Sequence, residues 1–220
     1  MKRILCYGDS NTWGYDAVNS EMAGVSARFP EEIRWTGVVQ NLLGPEYRVL
    51  EEGLNGRTTA FDSPYDYGRN GYQFLEVAIR SCNPIDCIIL MLGTNDLKDV
   101  YQASPYVITN SMARLVRTCR AVLSCTCSCS AKIIIAAPVS VKADQNGVYQ
   151  YDFSARSTDV GQALRQSYRD LAAKMGCGFI DVNDYVQPDG GDGVHLSAES
   201  HRKLGEAMAA YLQEFMKDKG

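Results

Sequence analysis

The chain has 220 residues, 45% hydrophobic and 22% charged, with 22 Lys and Arg against 26 Asp and Glu for a net charge of −4. This is an ordinary globular composition, and its mild acidity without a basic tract argues against nucleic acid and anionic membranes as partners. No apolar run approaches the ~20 residues of a membrane span, and Met1–Tyr7 runs straight into Gly8-Asp9-Ser10 without a signal-peptide core, so the sequence predicts a cytoplasmic protein folded as one domain over residues 1–220.

In chain order, Arg3–Tyr7 reads as a buried strand. Helical periodicity follows over Glu31–Leu43, through Ile33, Val38, Val39, Leu42 and Leu43, with Gly44-Pro45 as its stop. Four more apolar runs read as strands covered on both faces: Tyr47–Glu51, Cys87–Leu92, Lys132–Ala137 and Gly178–Val182. Helices are predicted at Tyr72–Ser81, Pro105–Leu123, Ser157–Met175 and Ala198–Met216. Strands alternating with helices imply right-handed crossovers and a parallel sheet, hence a three-layer α/β/α sandwich with five strands.

In such a sheet ligands bind beyond the carboxyl ends of the strands. Four polar clusters fall there: Gly8-Asp9-Ser10-Asn11 after the first strand, Asn55-Gly56 after the second, Gly93-Thr94-Asn95-Asp96 after the third, and Asp192-Gly193-Val194-His195 after the fifth. Ser10, His195 and Asp192 supply a nucleophile, a base and a carboxylate to orient the base, the inventory for acyl transfer through a serine intermediate. The backbone N–H groups of Ser10 and Gly56 and the side-chain amide of Asn95 can serve as oxyanion donors. Glycine at position 56 lets the backbone approach a ligand closely. No Gly-x-Ser-x-Gly motif surrounds Ser10, so no strained nucleophile elbow is implied.

Plainer readings compete at several positions. Asp189 in Pro188-Asp189-Gly190-Gly191 is a second candidate to orient His195, although Asp-Gly also reads as a turn. Asp9 and Asp96 read as braces for their loops, Arg57 as a member of a structural ion pair, and His201 as a helix residue apart from the site. Trp13 is equally a core aromatic or a wall of the acyl pocket. Asn11 and Asn55, beside the serine and glycine, are further candidates for substrate contact. Tyr65, Tyr67 and Tyr72 could line the mouth of the site or meet a second subunit. Of the eight cysteines, Cys125, Cys127 and Cys129 alternate in a spacing unlike a zinc knuckle, with no histidine nearby in sequence, and read as reduced thiols.

The four clusters, in this order, resemble the SGNH hydrolases, also called GDSL-type esterases and lipases. The likeness covers the whole chain, with Asn11 where many members carry leucine. Asp9-Ser10-Asn11-Thr12-Trp13-Gly14, Arg34-Trp35-Thr36-Gly37, Glu51-Glu52-Gly53-Leu54 and Met91-Leu92-Gly93-Thr94-Asn95-Asp96 are most similar to the bacterial arylesterase/acyltransferase branch. The resemblance implies a flavodoxin-like fold, Ser10, Asp192 and His195 as catalytic residues, and Ser10, Gly56 and Asn95 as oxyanion donors. It also implies hydrolysis of short acyl esters of small molecules, with acyl transfer to alcohols as a second outcome, and a homo-oligomer. No metal or cofactor is expected, since the serine and the oxyanion donors already supply the parts. A carbohydrate acetyl-esterase is the nearest alternative, and a non-catalytic ligand-binding domain the reading from another class.

Overall fold

The structure, a computed structural model, describes residues 1–217. Its centre is a five-stranded sheet of β1 (Lys2–Gly8), β2 (Tyr47–Gly53), β3 (Cys87–Met91), β4 (Lys132–Ala137) and β5 (Gly178–Asp181), in the order β2-β1-β3-β4-β5. All four pairings are parallel, for instance Leu5 with Leu50 and with Ile88. This is the doubly wound order of flavodoxin-like sheets, whose ligand crevice opens between β1 and β3, where the winding reverses.

Alternation along the strands explains the layers. Leu5, Tyr7, Ile88, Leu90, Ile133 and Ile135 face one side, where α4 (Gly71–Cys82), α5 (Pro105–Ser124) and α6 (Ala155–Met175) cover them. Ile4, Cys6, Ile89, Met91, Ile134 and Ala136 face the other, covered by α3 (Trp35–Leu43) and α7 (Ala198–Phe215). Both faces of β1, β3 and β4 are therefore apolar, as the uninterrupted hydrophobic runs require. β2 departs from the expectation: it is an edge strand, half-buried, with Arg48 exposed.

Two further differences concern helices near the site. The helix expected over Glu31–Leu43 begins only at Trp35, because residues 31–34 form a turn on Pro30, to whose carbonyl the Ile33 and Arg34 amides donate. Arg34 is extended, with ψ 141°, and its guanidinium meets Glu51 of β2 at 3.2 Å. The Glu31 carbonyl then packs so tightly on Gly37 that a Cβ there would overlap it. Two short helices escaped the sequence reading, α1 (Ser10–Trp13) and α2 (Ala17–Ala23). Asp9 and Asp16 cap them through side-chain acceptance from the Asn11 and Asn19 amides, and Gly14 and Gly24 close them in the left-handed conformation.

Candidate active site

β1 ends at Gly8, Asp9 caps the next turn, and Ser10 opens α1. The first backbone N–H of a helix has no acceptor within it, so the Ser10 amide stays available to a ligand. Ser10 Oγ lies 2.9 Å from His195 Nε2, and His195 Nδ1 lies 2.6 Å from Asp192 Oδ2. The other oxygen of Asp192 accepts the Val194 and His195 amides, each at 2.9 Å, which fixes the carboxylate beneath the ring. Burial alone would raise this carboxyl. The hydrogen bond and charge of His195, with the two amides, outweigh it and hold Asp192 down at about 2.

The competing Asp189 is turned to other work. It accepts the Ser197 amide and the hydroxyls of Ser197 and Ser200, at 2.8–2.9 Å, which ties the loop to the start of α7. Ser10, Asp192 and His195 are thus brought together, and Asp189 is not part of the chain of hydrogen bonds.

Gly56 sits in a turn after β2 with φ +76°, a conformation that favours glycine. Asn95 follows β3, and its Nδ2 donates to the Arg57 carbonyl at 3.1 Å, leaving the second amide hydrogen for a ligand. The two loops are locked together by buried Asp96, whose carboxyl accepts the Thr59 amide (3.0 and 3.1 Å) and the Thr59 hydroxyl. Burial pushes Asp96 up to about 7 despite these donors. Asp9, also buried, is pushed up from the ordinary carboxylate range. The sequence suggested a structural ion pair for Arg57, but among the described residues it forms none. It donates to the backbone carbonyls of Gly8 (2.9 Å) and Glu52 and stacks on Tyr7 at 4.1 Å.

Ser10, His195, Asn95, Gly56 and Asn55 all line one cleft of about 340 Å³. The side-chain oxygen of Asn55 is buried without a hydrogen-bond partner among the described residues, although the residue lines the cleft. Two other expectations of substrate contact do not fit this geometry. Asn11 spends its carboxamide inside the protein: Nδ2 donates to the Val194 carbonyl at 3.3 Å and Oδ1 accepts the Leu196 amide at 3.1 Å. It straps the serine turn to the chain on both sides of His195. Trp13 is absent from the cleft lining and lies under the Arg28 guanidinium at 5.0 Å.

Sequence reasoning missed Tyr15 and Tyr151, which flank His195 with ring centroids at 4.4 and 5.7 Å. It also missed Arg69, Lys98 and Phe153 on the cleft walls. No periodicity marks these positions. A faint signal for Tyr15 was its place just after Ser10-Asn11-Thr12-Trp13-Gly14. Tyr72, half-buried, lies under Arg114 at 3.5 Å, while Tyr65 and Tyr67 are exposed. His201 is fully buried, and the Trp35 amide donates to its Nδ1 at 3.3 Å. Cys125, Cys127 and Cys129 are exposed free thiols. Among the described residues no group of three or more His, Cys, Asp or Glu is placed to hold a metal ion, and no helix is long and apolar enough to cross a membrane.

A helix-covered parallel sheet with a serine, a histidine and an aspartate linked at its carboxyl edge defines a class, and comparison with known proteins agrees. The GDSL-like Lipase/Acylhydrolase family matches residues 6–203. A carbohydrate acetylesterase from Sinorhizobium meliloti superposes with a TM-score of 0.90 at 34% identity, covering 98% of this chain and 100% of that one. The native aryl esterase of M. smegmatis gives 0.88 at 32% identity, with 97% and 99% covered, and its inhibitor-bound form gives 0.87 at 32%, with 97% and 99% covered. No curated protein matches by sequence. The chain belongs to the GDSL-like lipase/acylhydrolase family.

Proposed function

We propose that this serine ester hydrolase cleaves short-chain, acetyl-type esters of small molecules, with Ser10 as nucleophile, His195 as general base and Asp192 as the carboxylate that orients it. The observation that carries the reading is the unbroken hydrogen-bonded chain from Ser10 Oγ through His195 to Asp192, opening on the 340 Å³ cleft. As Ser10 Oγ bonds to the acyl carbon, its proton passes to His195 Nε2, and Asp192 stabilises the imidazolium. The carbonyl oxygen takes the negative charge, within reach of the Ser10 and Gly56 amides and Asn95 Nδ2. Collapse breaks the bond to the alkoxy oxygen, which leaves with the proton from His195. Water then attacks the acyl-enzyme by the same steps in reverse.

An alcohol that replaced this water would accept the acyl group, so hydrolysis and transfer share one intermediate. The second reading, a carbohydrate acetyl-esterase, draws support from the Sinorhizobium meliloti neighbour. The test is a p-nitrophenyl ester series from acetate to octanoate, with wild type and Ser10→Ala side by side. Acetate turnover should fade with chain length and fall by about 10⁴-fold or more in the variant, given the cost of losing a triad member. Equal rates from both proteins would reject the nucleophile. Stoichiometric labelling by an organophosphonate, absent in Ser10→Ala, separates an enzyme from a ligand-binding domain.

The reading takes residues 1–220 as one domain in the cytoplasm, where exposed thiols such as Cys125, Cys127 and Cys129 stay reduced. It also includes a homo-oligomer, supported by exposed Val18, Met22 and Val25 on and beside α2 and by Tyr67, 95% exposed. Light scattering on the purified chain should give a multiple of the 24.3 kDa monomer; a monomer at micromolar concentration rejects it.

A further inference from the structure

The walls of the cleft carry two cations that ester cleavage at Ser10 does not use. Arg69 comes from the loop before α4 and Lys98 from the turn after Asn95. Arg69 packs against Gly56: a Cβ built there would stand 3.5 Å from both its Cδ and its Nε. Its nearest carboxylate, Asp66, is 3.9 Å away with a side chain 62% exposed, a loose and solvated pair. Lys98 is half-buried and, among the described residues, its ammonium has no hydrogen bond and no carboxylate within 4.0 Å; the Phe153 ring lies 5.8 Å off.

Asp152 faces Lys98 from the neighbouring loop, but its Oδ2 already accepts the Val100 amide at 3.1 Å. Burial pulls the Lys98 ammonium below its ordinary range, Asp152, Asp66 and Asp9 partly offset this, and Arg69 pulls it lower still. The two cations therefore share one field. A partly dehydrated ammonium without a hydrogen bond or a close carboxylate is costly, and an anion brought by a ligand would offset that cost through charge-assisted hydrogen bonds. The residues lining the cleft carry two cations against one carboxylate, Asp66, and Asp152 beside the lining tempers Lys98 further, a modest positive field that suits a monoanionic carboxylate better than a phosphate dianion.

We propose that the cleft selects esters that carry a carboxylate, held by Arg69 and Lys98 while the ester carbonyl lies at Ser10. The inference rests on Ser10 being the nucleophile and names the substrate class that this nucleophile meets. The carboxylate sits either on the alcohol or on the acyl chain, and two substrate pairs separate these sources. One pair is 4-acetoxybenzoate against its methyl ester; the other is monophenyl adipate against phenyl hexanoate. In one pair the wild-type enzyme should favour the anion about tenfold or more in kcat/KM, the order expected of one charge-assisted contact. Lys98→Met and Arg69→Met should each reduce that ratio severalfold, and added salt should shrink it in the wild type.

Preference for the neutral ester in both pairs would overturn the proposal, as would a preference that survives both substitutions. Calorimetric binding of 4-acetoxybenzoate and of its methyl ester to Ser10→Ala reads the anion site without turnover. Ser10-dependent cleavage of p-nitrophenyl acetate with no anion preference rejects only this proposal. No cleavage of any ester rejects the Ser10 reading, and the calorimetric comparison then decides the anion site by itself.

Discussion

At the residue scale the site rests on atoms that have several jobs at once. Asn95 holds the Arg57 carbonyl with one amide hydrogen and offers the other to the cleft. Asn95→Ala should therefore lower kcat about 10²–10³-fold with a smaller change in KM, because the lost bond forms fully only in the transition state. Unchanged kcat on p-nitrophenyl acetate would remove Asn95 from the oxyanion site. Asn11 acts differently. Its carboxamide pairs a buried carbonyl and a buried amide on either side of His195, so Asn11→Leu, close in volume, leaves both unpaired. The expected cost is about 1–3 kcal/mol, read as a lower urea midpoint. Loss of activity should appear in kcat rather than KM, since Asn11 does not line the cleft. Ser10, Gly56, Asn95, Asp192 and His195 were legible as candidates because their chemistry is tied to residue type at strand ends. Tyr15, Tyr151, Arg69 and Lys98 were not, because irregular loops bring them in. Tyr151, for instance, sits at φ +54° beside Asp152 at +67°, a path no periodic pattern announces.

At the element scale, apolar runs and their stops carried most of the fold. All five strands and the five longer helices were legible: burial on both faces leaves unbroken apolar runs in β1, β3 and β4, and Gly44 and Gly176 close helices. α1 and α2 span four and seven residues, too short for a 3.6-residue period to stand out, although Asp16 and Gly24 are a cap and a stop. The late start of α3 was illegible for another reason: residues 31–34 turn on the Pro30 carbonyl, and Arg34 is extended there, with its guanidinium against Glu51, distant in sequence. α3 meets α7 closely at Gly205, where a Cβ would stand 2.5 Å from Val38 Cβ and 2.9 Å from the Trp35 carbonyl. Alanine is the better helix former by about 1 kcal/mol, but neither contact is the free end of a flexible chain. Gly205→Ala should thus destabilise by about 1–3 kcal/mol through overpacking. A urea midpoint equal to or above the wild type's would mean that α7 can move away from α3 at little cost.

For the molecule as a whole, stability against pH follows from two buried groups that pull in opposite directions. His201 is pulled down to about 4, first by burial and then by the charge of His195, and its Nδ1 is held as an acceptor by the Trp35 amide. Between the unfolded value near 6.5 and about 4, the unfolded chain binds a proton that the folded one refuses. The contribution of His201 is therefore present above 6.5 and lost as pH falls through 4, by roughly 3 kcal/mol at most. Asp96, pushed up to about 7 by burial, has the opposite sign. The folded state keeps its proton where the unfolded chain releases one, so this contribution is present below the ordinary carboxyl value near 4 and lost as pH rises through 7. The two partly cancel from about pH 4 to 6.5, and the wild type should show a shallow profile there. Asp192, held at about 2, has the same sign as His201, but its loss falls mainly below pH 4. His201→Gln removes one side of the balance while leaving an acceptor for the Trp35 amide. Its urea stability relative to the wild type should improve steadily from pH 7 to pH 4, and only this difference, not either profile alone, isolates the histidine. Parallel profiles would mean that His201 takes up its proton in the folded state as readily as in the unfolded one, which a neutral imidazole sealed between α3 and α7 does not allow.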